Sequence, residues 1–119
     1  MIPSHKLGRI AEDLAVDYYR KKGYEILARN FRYKRAEVDL IVLKQDTLVA
    51  VEVKARSTDF FGSPQSFITQ KKIKLLCMAI DAYVQQRNLD VEVRFDVMSY
   101  LRIKGRWVCH PIPNAFYPF

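Results

Sequence analysis

The spacing of hydrophobic positions switches between helical and strand periods along the chain. Within 5–22, Leu7, Ile10, Ala11, Leu14, Ala15 and Tyr18 recur every three or four residues, the stripe of one helix face. Ser4 is placed to cap its start and Gly23 its end. "YEILARNFRY" (24–33) predicts a strand, followed by the basic turn "RYKRA". "EVDLIVL" (37–43) and "LVAVEVK" (48–54), either side of the polar "KQDT", predict a hairpin. "RSTDFFGSPQSF" (56–67) contains Gly62 and Pro64 and lacks periodicity, so it is expected to be an irregular loop of the length that often carries function. Thr69 is placed to cap a second helix over 70–87, with Ile73, Leu76, Cys77, Ile80, Tyr83 and Val84 on its apolar face. After a turn at "NLD", the alternating Val91, Val93, Phe95 and Val97 predict another strand, and "RWVCHPI" a short last one. The order α, β, β, β, α, β and a final β predicts an α/β sheet with helices packed on it.

Strand parity turns the hairpin into a chemical question. Residues two apart share a face and lie about 6.7 Å apart, so Glu52 and Lys54 point together, as do Glu37 and Asp39. A four-residue loop at Lys44–Thr47 sets Leu43 opposite Leu48, Ile41 opposite Ala50, Asp39 opposite Glu52 and Glu37 opposite Lys54. The other face becomes Val38, Leu40 and Val42 against Val53, Val51 and Val49. A one-residue slip would scatter carboxylates through the aliphatic face, so the hydrophobic pattern excludes it.

Two carboxylates about 5 Å apart repel by roughly 3 kcal/mol at an effective dielectric near 20, so something cationic belongs between them. One answer is a cross-strand charge network in which Lys54 pairs with Glu37. The other is a divalent cation: hard oxygen ligands suit Mg²⁺ or Mn²⁺, with water and phosphate oxygens completing the shell. The pattern alone leaves both open.

Charge adds a partner. The chain has 119 residues with 20 Lys plus Arg against 13 Asp plus Glu, a net charge of +7, and its pI is about 9.5. A polyanion such as nucleic acid is the first suspicion. The length fits one domain, residues 1–119, able to bury a core without disulfides or a structural metal. Cys77 and Cys109 lack the spacing of a secreted disulfide framework and are expected to be reduced, buried thiols. No signal peptide and no apolar run of membrane-spanning length is visible, so a cytoplasmic protein without a membrane partner is expected.

Several stretches together resemble a known family. Asp39, twelve intervening residues and then "EVK" resemble the PD-(D/E)-x-K nuclease signature. "GRIAEDLAVDYYRKKGYEILARNFR", "AEVDLI", "LVAVEVKAR", "FGSP" and "RFDV" resemble the YraN-like family of bacterial proteins, itself similar to archaeal Holliday-junction resolvases. The resemblance covers roughly residues 8 to 98. It implies a restriction-endonuclease-like α/β fold, a central mixed sheet flanked by helices. It also implies that Asp39 and Glu52 bind metal, that the Val53 carbonyl adds a ligand, and that Lys54 orients the attacking water and counters charge at the phosphate. Asp39, Glu52 and Lys54 would then be the catalytic set. Glu12 falls where the resolvase-like group places a further acidic metal ligand. Parity brings Glu37 close to the site, as a neighbour of the ligands rather than one of them. Ala36 stands where relatives commonly have Gly, and Gln65 and Ser66 where an acidic residue is frequent, which leaves loop geometry open.

Such a site suits in-line phosphodiester cleavage with Mg²⁺ or Mn²⁺. Backbone contacts to DNA are expected from Arg32, Lys34 and Arg35, from Arg56, and from Lys71, Lys72 and Lys74 at the start of the second helix, whose amides also favour phosphate. No base-reading motif is visible, so binding should follow backbone and shape, with branched or otherwise structured DNA as the preferred substrate. The rivals are a non-catalytic DNA-binding module of the same fold and an interaction domain for an acidic protein. Arg94 and Asp96 in "RFDV" are expected to form an outward ion pair, and Cys109 beside His110 to serve packing and surface. The tail "NAFYPF" is expected to fold back on the core, with a homodimer contact as the second choice.

Overall fold

Among the described residues the elements follow the predicted order: α1 (Ser4–Lys21), β1 (Glu25–Tyr33), β2 (Ala36–Lys44), β3 (Thr47–Arg56), α2 (Gln70–Gln86), β4 (Glu92–Ile103) and β5 (Arg106–Ile112). This computed structural model describes residues 3–57 and 69–116, without the side chain of Ser4. Most of the expected loop after β3, including "FGSP", Gln65 and Ser66, lies outside the described residues, as do Tyr117, Pro118 and Phe119.

The strands form one sheet in the order β1-β2-β3-β4-β5. β3 and β4 run parallel, and every other neighbouring pair is antiparallel. The chain crosses from β3 to β4 through α2, the connection a parallel pair requires. A five-stranded mixed sheet flanked by helices results, compatible with a restriction-endonuclease-like fold.

The two helices cover opposite faces. Ala11, Ala15, Val16 and Tyr19 of α1 are buried with Leu40, Val42, Val49, Val51, Met98 and Tyr100. Leu76, Ala79, Ile80 and Tyr83 of α2 are buried with Ala36, Val38, Ile41, Leu48, Ala50 and Phe95. Strict alternation along β3, Leu48 and Ala50 one way and Val49 and Val51 the other, lets one strand feed both cores. Thr69 caps α2 as expected, its hydroxyl accepting the Lys72 N–H at 3.1 Å.

The start of α1 differs from expectation. Pro3 holds the cap position, and its carbonyl accepts the N–H groups of Lys6 and Leu7, each at 3.0 Å. The fixed φ of proline already suits a helix entry. Gly23 ends the helix at φ 90, with Tyr24 N–H donating to Tyr19 O and Gly23 N–H to Arg20 O, the paired closure that a left-handed residue allows.

The hairpin register is the predicted one, Leu43 opposite Leu48 and Ile41 opposite Ala50, but its loop is shorter. Lys44 pairs with Thr47, leaving a two-residue turn with Gln45 at φ 54. The parity forecast fails at one point: Leu40 joins the α1 core and Val38 the α2 core, although they are two residues apart. β1 makes the same change, for Arg29 meets Asp13 of α1 whereas Phe31 stacks edge-on with Tyr83 of α2. The rung between them carries Asn30, at φ 53, and Asp39.

Two further expectations need correction. Arg94 and Asp96 do pair, through two bonds of 2.9 and 3.0 Å, but Asp96 is buried rather than outward. Tyr19 O–H of α1 and Asn114 N–H after β5 also donate to it, so helix and tail cover what strand alternation alone would have exposed. Cys77 is half-buried and Cys109 exposed; both are free, but they are not two buried thiols. The described part of the tail, through Phe116, folds back: Ala115 N–H donates to Phe95 O at 2.7 Å and Phe116 stacks on the Phe95 ring.

Candidate active site

The site forms where β2 and β3 part. Their ladder is continuous from Lys44↔Thr47 to Leu40↔Val51. The next residue of β2 is Asp39, and its side chain takes over from the backbone: Oδ2 accepts the Val53 N–H at 2.8 Å. A carboxylate thus stands against β3 one residue beyond Glu52. On the other side β4 runs parallel, with Glu52 beside Val97 and Lys54 beside Ser99. Val97 and Ser99 are themselves buried, which keeps this end of the sheet firm.

Glu52 is only 4% exposed. Its Oε2 lies 3.1 Å from Lys54 Nζ and 3.3 Å from Lys72 Nζ. Its Oε1 is buried with no hydrogen-bond partner among the described residues. A buried carboxylate oxygen without a donor is costly. Asp39 feels the same crowding: burial first, then the charge of Glu52, push its carboxyl up to about 7, with Glu12 adding to the rise and the Val53 N–H opposing it. The proximity of Glu52 favours the protonated form of Asp39, because two ionised carboxylates there would repel.

Two carboxylates close enough for the charge of one to raise the other, one of them with an orphaned oxygen, fit the donor set of a hard divalent cation. Asp39 and Glu52 are the side chains that would hold it.

Comparison with known proteins identifies the family. The sequence model of the family described as "Uncharacterised protein family UPF0102" matches residues 11–100. A UPF0102 protein of Christiangramia forsetii is 46% identical over 119 residues, covering all of both chains. One from Flavobacterium psychrophilum is 42% identical, again over all of both chains. A UPF0102 protein of Syntrophomonas wolfei is 42% identical over 95% of this chain and 99% of its own.

The chain belongs to the UPF0102 family.

The matched UPF0102 span takes in Glu12, Asp39, Glu52, Lys54 and Lys72, and leaves out β5. Within this UPF0102 chain the predicted residues fall into three groups. Asp39, Glu52 and Lys54 come together as expected. Glu12 lies near enough for its charge to raise Asp39, but its Oε1 is taken by Asn30 Nδ2 at 3.2 Å and Arg29 Nη2 at 3.5 Å. Glu37 faces β1 and pairs with Arg32 at 3.3 Å; the expected Glu37–Lys54 pair does not form, because Lys54 turns to Glu52. Among the described residues no group of three or more His, Cys, Asp or Glu side chains converges to hold a metal ion. An ion at Asp39 and Glu52 would therefore complete its shell from backbone, water or phosphate oxygens.

The basic residues are spread around this centre. Lys34 and Arg35 are exposed in the β1–β2 turn, Lys34 with its ammonium over the Tyr33 ring, and Arg32 precedes them. Arg56 ends β3, donating to the Ala55 carbonyl. Lys71 and Lys74 are exposed on α2. Lys72, expected among the phosphate contacts, instead reaches the carboxylates. Its sequence signal was electrostatic: the first turn of α2 contains lysine and no acidic residue, an arrangement the helix dipole disfavours unless an anion faces it. Arg29 and Asn30, which fix Glu12, gave no such signal. No helix among the described residues is long and apolar enough to cross a membrane.

Proposed function

We propose that this protein is a metal-dependent DNA endonuclease that hydrolyses phosphodiester bonds, with Mg²⁺ or Mn²⁺ held by Asp39 and Glu52. The observation that carries the reading is the approach of half-buried Asp39 to buried Glu52 beside Lys54, with one Glu52 oxygen left without a donor. The resemblance to Holliday-junction resolvases points the same way, and branched or otherwise structured DNA is the preferred substrate.

When bound, a divalent ion supplies Lewis-acid stabilisation of charge developing at the phosphate and makes water nucleophilic near neutral pH. The chain's own residues have separate tasks. Asp39 fixes the position of the β3 backbone at Val53 through Oδ2, and its other oxygen would serve the ion. Lys54 places a compact positive charge next to the carboxylates, where a phosphate oxygen would approach. The exposed lysines and arginines at the β1–β2 turn and on α2 supply contacts to the DNA backbone, and the amides at the start of α2 favour phosphate as well.

A non-catalytic DNA-binding module of the same fold is the second reading, favoured by one observation. Lys54 and Lys72 already neutralise Glu52 without an ion. Incubation with junction, flap, single-stranded and linear DNA in Mn²⁺ separates the two. Cleavage by the wild type that is lost in Glu52→Ala and Lys54→Ala supports the nuclease; binding to junctions without cleavage supports the module. Cleavage that survives in both variants comes from another protein and removes support from the nuclease.

A further inference from the structure

Lys72 reaches the carboxylates from a place where its charge is unfavourable. It lies in the first turn of α2, its backbone N–H held by Thr69 Oγ1, with Lys71 beside it and no acidic residue in that turn. Positive charge there opposes the helix dipole. Its Nζ nevertheless sits 3.3 Å from Glu52 Oε2, the oxygen that Lys54 already approaches at 3.1 Å, whereas Oε1 receives no donor among the described residues. Two ammonium groups share one oxygen and none serves the other. The arrangement matches charge better than it satisfies hydrogen bonds.

Ionised Asp39 and Glu52 carry two negative charges, and Lys54 and Lys72 two positive ones. A divalent ion entering between the carboxylates brings two positive charges against two ammonium groups that already approach Glu52, and their repulsion favours withdrawal of one of them. Lys54 is rooted in β3 and its side chain is 20% exposed; that of Lys72 is 39% exposed and hangs from a helix end. Lys72 is the one able to swing away, into the same region as exposed Lys71 and Lys74.

We infer that Lys72 is an internal counter-ion, which neutralises Glu52 while no divalent ion is bound and moves onto a backbone phosphate of DNA when the ion enters. This rests on the metal-centre reading above. Lys72 thereby couples the order of events, since the contact it offers the phosphate becomes available only after the ion arrives.

Calorimetric titration of the full chain with Mn²⁺ tests the exchange. Lys72→Met should bind Mn²⁺ at least about fivefold more tightly than wild type, because a competitor has gone. Lys72→Arg should stay near wild type, and Lys74→Met should change the affinity less than about twofold, since Lys74 has no ion pair with Glu52 among the described residues. In saturating Mn²⁺, the slope of log affinity for junction DNA against log salt should shrink by about one for Lys72→Met. If the wild type binds Mn²⁺ and Lys72→Met binds it no more tightly, the counter-ion role is overturned while the metal centre stands. If the wild type binds no Mn²⁺, both fall.

Discussion

Asp39 Oδ2 and the Val53 N–H, 2.8 Å apart, join β2 to β3 at the point where their ladder stops. One carboxyl thereby does two things: it replaces a missing backbone acceptor and it brings negative charge against Glu52. The two effects have opposite signs, and substitutions can separate them. Asp39→Asn keeps an acceptor and removes the charge, so in chelator at pH 8 it should be more stable than wild type. Asp39→Ala loses the acceptor as well and should fall below Asp39→Asn by about 1–3 kcal/mol in urea unfolding. Equal stability of the two variants would mean that the Val53 bond contributes nothing.

The raised Asp39 carboxyl also shapes the pH profile. Its folded value of about 7 lies above its ordinary value of 3.8, so between them the folded protein keeps a proton that the unfolded chain has released. The stability tied to that proton is present at low pH and is lost as pH rises through this window. Relative to Asp39→Asn, ion-free wild type should lose stability from about pH 4 to 7, by a few kcal/mol at most. Parallel profiles for the two proteins would contradict the burial of this charge.

If the protein cleaves DNA as proposed, the loss on substitution should be graded by how directly a residue serves the carboxylate pair. Glu52→Ala and Lys54→Ala are expected to lower the single-turnover cleavage rate by at least about 100-fold, and a chelator to abolish cleavage. Glu12→Ala should cost less, about 10-fold or under, since Glu12 is already engaged by Arg29 and Asn30. A Glu12 effect equal to that of Glu52 would make it a full ligand.

If the surface binds DNA through its phosphates, affinity should fall steeply with salt. Arg35→Ala and Lys71→Ala should each flatten the log–log slope by about one without changing the preference for one sequence over another. A filter-binding series across salt concentrations decides this, and a nearly flat wild-type slope would favour an acidic protein partner instead.

Away from the site, Asp96 holds the far end of α1 to the sheet. It is 3% exposed and accepts bonds from Tyr19, Arg94 and Asn114. Asp96→Ala leaves the Arg94 guanidinium without its carboxylate and should destabilise the fold by about 3–5 kcal/mol, visible as a lower urea midpoint.

Much of the architecture was legible because it depends on local periodicity. The α2 stripe, the Thr69 cap and the Leu43–Leu48 register follow from spacing that any slip would spoil. The same register carried Asp39 towards Glu52, although the ladder ends at Leu40↔Val51 and Asp39 meets β3 through its side chain at Val53 rather than as the rung opposite Glu52. What escaped was set by contacts distant in sequence. Asp96 reads as an outward residue until Tyr19, from a helix 77 positions earlier, closes over it. Lys72 looks like a solvated lysine until α2 is docked, and Glu37 looks like a partner for Lys54 until β1 brings Arg32 alongside. The reversal at Val38 was hidden because strict alternation is the simplest reading of a valine-rich strand.

That reversal has a consequence for how the protein can vary. β1 and β2 change sides together, at Asn30 and Asp39, so Arg29 still neighbours Leu40 and Phe31 still neighbours Val38. The two irregularities cancel. Deleting Asn30 or Asp39 alone would slip every later β1–β2 partner by one, so that Phe31 and Val38 no longer face each other, whereas matched deletions of both would keep the pairing and lose only the fork that displays Asp39. Length changes in these two ribbons are therefore tolerable only as coordinated pairs, and even those would sacrifice the acid before the fold.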